Sequence, residues 1–158
     1  MQLQELFSAD DFLVAFEPSD KWDAIGRMMN HLVEHGRFDR TTAEDLHEAV
    51  LARERSMSTG MERGIAIPHA AVDQLEGVIA CIGIVSRPEG LAFESVDGRP
   101  TQLVVLLLIP RSQKLLHIRT LADVARVLGR ESVREALLAA KSGDEAWHAL
   151  AEGESATA

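Results

Sequence analysis

Gln102-Leu103-Val104-Val105-Leu106-Leu107-Leu108-Ile109 is an unbroken apolar run behind one polar residue, and Pro110 stops it. Eight residues suit a strand rather than a helix, and the lack of alternation means that both faces are covered. Val78-Ile79-Ala80-Cys81-Ile82-Gly83-Ile84-Val85 repeats the pattern. Two doubly buried strands require helices on both sides of their sheet, and the flanking sequence supplies them.

Upstream, 12–16 reads as a strand stopped by Glu17-Pro18, and Ser19 or Asp20 caps a helix carrying Ile25, Met28, Met29, Leu32 and Val33. Gly36 ends that helix. Thr41 or Thr42 caps the next, which carries Leu46, Val50 and Leu51 to about Arg53. Residues 56–63 form a loop, and 65–67 a short strand that Pro68 ends or places at an edge. After the turn Arg87-Pro88-Glu89-Gly90 come a short strand over 91–93 and a tight turn at Asp97-Gly98. Helices follow over about 113–129, 131–140 and 144–151. The expected fold is α/β, a single central mixed β-sheet flanked by helices on both faces. It forms one domain over 1–152, with a frayed tail over 153–158.

The chain has 158 residues, is 46% hydrophobic and carries a net charge of −9. That predicts one folded domain and argues against nucleic-acid or anionic-membrane binding, because no basic face is supplied. The lone Cys81 cannot form an internal disulfide and reads as a buried apolar residue of a reducing compartment. The N-terminus lacks a signal-peptide layout, and the longest apolar run is too short for a bilayer. A cytoplasmic location follows as the expectation.

The candidate chemistry centres on Gly64-Ile65-Ala66-Ile67-Pro68-His69, a short strand whose end presents an imidazole at the sheet rim. Arg53 and the hydroxyl loop Ser58-Thr59-Gly60 precede it. His117 follows, at the head of the stripe Leu121, Val124 and Leu128, so it faces inward and needs a partner. A cation, hydroxyl and backbone donors, and two imidazoles suit a histidine that carries a phosphoryl group. Each part also has a plain reading: rim and core histidines, a solvated face for Arg53-Glu54-Arg55, a surface turn for the loop. His31-Leu32-Val33-Glu34-His35 matches the H-x-x-E-H pattern of inverted zinc peptidases. With Gly36 immediately following and no third ligand identifiable, no metal site is expected.

Arg53-Glu54, Ser58-Thr59-Gly60 and 64–69 together resemble the active-site signature of type-2 enzyme IIA domains. These belong to the bacterial phosphoenolpyruvate-dependent sugar phosphotransferase system (PTS), fructose/mannitol type. Leu91-x-Phe93, Asp97-Gly98, Leu103-Val104-x-x-Leu107-Leu108-Ile109-Pro110 and His117-x-x-x-Leu121-Ala122 follow the family order. The resemblance spans about Leu3 to Leu150 and is strongest over 53–128. It implies that His69 is phosphorylated, that His117 is its active-site neighbour, and that Arg53 and Thr59 line the phosphate site, with Ser58 beside them. Arg55-Ser56-Met57 and Ala70 depart from the common pattern, which bears on the loop backbone but removes no reactive group. The implied activity is a phosphotransferase with a phosphohistidine intermediate and no cofactor. Phospho-HPr is the implied donor, and an enzyme IIB or regulated target proteins are the implied partners. Met1-Gln2-Leu3-x-x-Leu6-Phe7 resembles nitrogen-type regulatory members, which makes a stand-alone regulatory enzyme IIA the first expectation. The enzyme IIA of a fructose- or mannitol-type permease is the alternative.

Overall fold

A computed structural model describes residues 2–157. Met1, which opens the N-terminal motif, and Ala158, at the end of the expected tail, lie outside the described residues. The strands are β1 (Phe12–Leu13), β2 (Ile65–Ala66), β3 (His69–Val72), β4 (Ile79–Ile84) and β5 (Leu103–Pro110). The helices are α1 (Leu3–Leu6), α2 (Lys21–Glu34), α3 (Arg40–Ser56), α4 (Lys114–Leu128), α5 (Glu131–Ala139) and α6 (Gly143–Thr157), with a 3-10 turn over Ala9–Asp11.

The sheet order is β1-β4-β5-β2, with β3 also on β5. β4 and β5 are antiparallel, while β1 on β4 and both β2 and β3 on β5 are parallel. The sheet is therefore mixed. Every residue of β5 is buried, as its unbroken apolar run requires. Leu103, Val105, Leu107 and Ile109 meet Val124, Val127, Leu128, Leu137 and Leu150 on one face. Val104, Leu106 and Leu108 meet Ile25, Met28, Leu32, Leu46 and Val50 on the other. The alternation of a single strand thus feeds two cores.

Caps explain where the helices start. The Asp20 carboxylate accepts from Asp23 N at 2.8 Å, and that of Asp39 from Thr42 N at 2.7 Å. The second cap lies ahead of the expected Thr41 or Thr42, because the earlier carboxylate takes the free amide. Gly36, at φ +69°, ends α2 as expected.

Three expected elements come out differently. The strand over 12–16 shrinks to Phe12–Leu13, because Ala15 turns to φ +54°. Phe16 then packs on Gly83, where a Cβ would sit 2.5 Å from its ring. The strand expected over 91–93 is a single bridge between Leu91 and Thr101. The expected frayed tail over 153–158 is instead helical to Thr157. Gly153 is not a stop there: a Cβ would approach Val133 Cγ2 to less than contact distance, so it lets α6 lie close on α5. The buried carboxylate of Glu154 accepts from Leu3 N and Gln4 N, which are free donors at the start of α1.

Glu154→Ala should therefore lower the unfolding free energy by about 1.5–3 kcal/mol, since it strands a buried amide that now meets a charge. Urea denaturation of both forms measures this, and an unchanged midpoint would mean that the segment contributes nothing.

Candidate functional site

β2 and β3 are one strand in register: Ile65 pairs with Leu103 and His69 with Leu107, the same offset on either side of Pro68. Pro68 has no N–H for β5, yet its carbonyl still accepts from Leu107 N at 3.0 Å. His69 therefore opens β3 rather than trailing a strand end. Ile65 and Ile67 belong to the core under α4, and the alternation puts His69 on that same face. His117, in the first turn of α4, meets it there edge-on, with ring centroids 5.5 Å apart. Both rings are half-buried.

α3 packs on the opposite face, so the chain after it must cross the sheet edge to reach His69. The loop over 57–63 does so by bonding along that edge. Ile67 N donates to the Thr59 carbonyl at 3.1 Å and Met61 N to the Ile65 carbonyl at 2.7 Å. Gly60 passes so close to the Glu94 carbonyl that a Cβ would lie 2.7 Å from it. The result is a cleft of about 260 Å³ lined by Arg53, Ser58, Thr59, Gly60, Ile67 and His69.

Within the cleft the tautomer of His69 is set. Its Nδ1 lies 2.7 Å from the Ile67 carbonyl, which can only accept, so Nδ1 carries the proton and the lone pair is on Nε2. Burial holds the imidazole below the ordinary histidine pKa. The charges of Arg53 and His117 push the same way, while the Ile67 bond and Glu54 oppose. Neutral His69 with an open Nε2 is a nucleophile by construction.

Arg53 is half-buried and donates from Nη1 to the Met57 carbonyl at 2.8 Å, which fixes its guanidinium beside the loop. The Ser58 hydroxyl oxygen accepts from Gly60 N at 3.2 Å, a bond that does not consume the hydroxyl hydrogen. Thr59 lines the cleft with its donors already engaged. It is buried, and both its amide and its hydroxyl donate to the Glu54 carboxylate, at 3.0 and 2.5 Å. The Glu54 carboxylate is fully buried and bonded to Lys21 Nζ at 3.2 Å. Sequence reasoning set Glu54 beside Arg53 in the signature, with a solvated face as its plain reading, and passed over Lys21. The signal was present: Glu54 lies four residues after Val50, and Lys21 four before Ile25, so each extends its helix's apolar stripe by one turn.

His31, in the last turn of α2, and His35, which caps that helix, have ring centroids 4.1 Å apart. Their Nε2 and Nδ1 atoms bond to the carbonyls of Asp10 and His31. Among the described residues no third ligating side chain joins them.

The cleft thus brings together a strand-borne histidine, a second histidine, an arginine and a hydroxyl loop. Residues 5–153 match the family described as "Phosphoenolpyruvate-dependent sugar phosphotransferase system, EIIA 2". The chain belongs to this family. It is 30% identical over 152 residues to a nitrogen regulatory protein of Bradyrhizobium diazoefficiens, covering 96% of this chain and 95% of that one. It is 31% identical over 144 residues to the fructose-specific EIIABC component of Bacillus subtilis, covering 91% of this chain but only 22% of that much longer protein. In fold it resembles the nitrogen regulatory protein IIA-Ntr of Neisseria meningitidis, with a TM-score of 0.80, 24% identity and coverage of 94% and 98%. It also resembles the mannitol IIA of Escherichia coli, with a TM-score of 0.75, 24% identity and coverage of 91% and 98%. Among the described residues no helix is long and apolar enough to cross a membrane.

By NMR titration His69 should show an Nδ1–H tautomer and a midpoint below about 6.5. A folded state that resists protonating His69 gains stability above that pH and loses it as the pH falls through the unfolded value. His69→Ala should remove that part of the acid-induced loss. A midpoint at or above the ordinary value would contradict the geometry.

Proposed function

We propose that the protein is a phosphohistidine carrier that accepts a phosphoryl group from phospho-HPr on His69 Nε2. The observation that carries this reading is the bond from Nδ1 to the Ile67 carbonyl, which aims an unprotonated Nε2 into a cleft beside Arg53, Ser58 and His117. In the transfer Nε2 supplies the electron pair for the new N–P bond. The bond between phosphorus and the donor's imidazole nitrogen breaks, and its electrons return to that nitrogen. The proton stays on Nδ1, bonded to the Ile67 carbonyl throughout, so His69 needs no base. Arg53 and the Ser58 hydroxyl take the equatorial oxygens, and His117 steadies the phosphoryl group edge-on. Thr59 shapes the loop rather than meeting the phosphate. Exchange between two histidines is near balance in energy, so positioning and charge provide most of the acceleration.

The surroundings suit a protein donor rather than a small molecule. Met57 and Met61 lie in the loop of the cleft, and Leu115 and Ile118 flank His117 on α4; all four are exposed. Exposed large apolar side chains beside a reactive group mark a docking face.

Downstream, we assign the protein to the nitrogen-type regulatory enzymes IIA, whose phosphorylation state governs what they bind. End-to-end similarity to the Bradyrhizobium regulatory protein supports this. The transport reading has its own support, a fructose-specific EIIA component of Haloferax volcanii, 35% identical over 136 residues with 85% of each chain covered. The mannitol IIA domain also has a solved complex with phosphorylated IIB. Phosphorylation adds close to two negative charges to a protein already at −9, enough to repel an acidic partner or recruit an arginine-bearing one.

Incubation with phosphoenolpyruvate, enzyme I and HPr should place one acid-labile phosphate on His69 and none on His69→Ala. His117→Ala should stay folded and exchange about 10²-fold more slowly, the scale of losing one preorganised stabilising group. Label on another histidine would refute the assignment. Pull-downs with wild type, His69→Ala and His69→Glu should yield a protein whose binding differs between forms. Equal binding in all three, with a permease IIB as the acceptor found, would make this a transport component.

A further inference from the structure

Five groups form an unbroken hydrogen-bonded chain from α2 to the imidazole. Lys21 Nζ donates to Glu54 Oε2 at 3.2 Å. Thr59 N donates to that same oxygen at 3.0 Å, and Thr59 Oγ1 donates to Oε1. The Thr59 carbonyl accepts from Ile67 N at 3.1 Å, and the Ile67 carbonyl from His69 Nδ1 at 2.7 Å. Resting on the carrier reading above, we propose that Lys21 and Glu54 are positioning residues for phosphoryl transfer: Glu54 clamps the hydroxyl loop against His69, and Lys21 cancels the charge that the clamp introduces.

The energetics point away from a purely stabilising role. A buried ion pair gives little net stability over an apolar pair of the same volume. Lys21 is 8% exposed and Glu54 2% exposed, so both are desolvated, and hydrophobic side chains would fill the same stripe positions at no loss. Apolar side chains could not grip the loop. Thr59 presents two donors to α3, and only a carboxylate accepts both while holding its own charge in place. The two bonds pull the loop onto the sheet edge, where its carbonyl fixes Ile67 and, through Ile67, the imidazole.

The clamp carries an electrostatic cost that Lys21 removes. The Glu54 charge is near enough to His69 to favour the protonated ring, which is the wrong form for a nucleophile. It would also repel an arriving phosphoryl dianion. Lys21 neutralises it at contact distance. The ammonium is itself held by the faces of Trp22 and Phe93, 5.0 and 5.5 Å from their centroids. Glu94, at 3.8 Å and largely exposed, adds a weak, screened partner. The charged groups acting on His69 are then Arg53, His117 and the neutralised Glu54.

Four forms test the relay: wild type, Lys21→Met, Glu54→Gln and the double variant. The readouts are single-turnover transfer from phospho-HPr and the NMR titration midpoint of His69. In Lys21→Met the Glu54 carboxylate keeps its two Thr59 donors but loses the cation that cancels its charge. Transfer should slow about tenfold or more, and the His69 midpoint should rise. The double variant should recover most of the rate and return the midpoint. Its carboxamide in place of the Glu54 carboxylate would keep a carbonyl for Thr59 N and offer an amide to Thr59 Oγ1, with no charge left to cancel. A pair that only holds the fold together predicts the reverse, a double variant worse than either single. Lys21→Met at the wild-type rate, or a double variant that recovers nothing, overturns the proposal. If Lys21→Met does not fold, Lys21→Gln replaces it under the same criteria. If wild type takes no phosphate from phospho-HPr, the carrier reading fails, and the midpoint shift and its reversal still decide the relay alone.

Discussion

The pairing of β5 on both sides governs everything near His69. β4 meets it antiparallel and the β2–β3 strand meets it parallel, so β5 is bonded along both edges while its side chains build two cores. A strand so committed cannot shift by one residue, because every side chain would change faces. The register therefore carries through Pro68 unbroken, and His69 opens on the α4 side opposite Leu107. Had the proline reset the register by one, the imidazole would point at α2 and α3, away from His117.

The outer edge of β2–β3 has no further strand among the described residues, and the loop after α3 occupies it. This solves two problems at once. It satisfies edge amides that would otherwise be open to pairing, and it carries Ser58 across the sheet edge to the His69 face, with Arg53, in the last turn of α3, tied to it through the Met57 carbonyl. The glycines follow from that route: Gly60 passes a carbonyl too closely for any side chain, and Gly64 turns at φ +75° to enter β2.

The cleft that results sets local charge against global charge. The whole chain is acidic, yet the groups facing His69 are a guanidinium, a second imidazole and a hydroxyl, with the nearby Glu54 carboxylate paired to a lysine. Such an arrangement receives an anion with little rearrangement. Exposed apolar side chains, Met57, Leu115 and Ile118 among them, surround it.

The sequence alone determined the layers and singled out His69 as the candidate histidine. Runs such as 78–85 and 102–109 can only be doubly covered strands, and amphipathic stripes mark α2 and α3. These are local signals, readable over one or two turns of chain. Tertiary structure alone decided which faces met. Glu54 looked like one charge among Arg53, Glu54 and Arg55, because its partner lies 33 residues away in sequence. Gly153 and Glu154 looked like a frayed end, because the amides that Glu154 serves are 150 and 151 residues distant and the side chain that needs the glycine's space is on α5. Thr59 read as part of a hydroxyl loop beside His69, and only the fold showed that its amide and hydroxyl both bond Glu54. A buried polar group must find a partner, but the sequence states only the need, and the partner is fixed by packing that brings distant segments together.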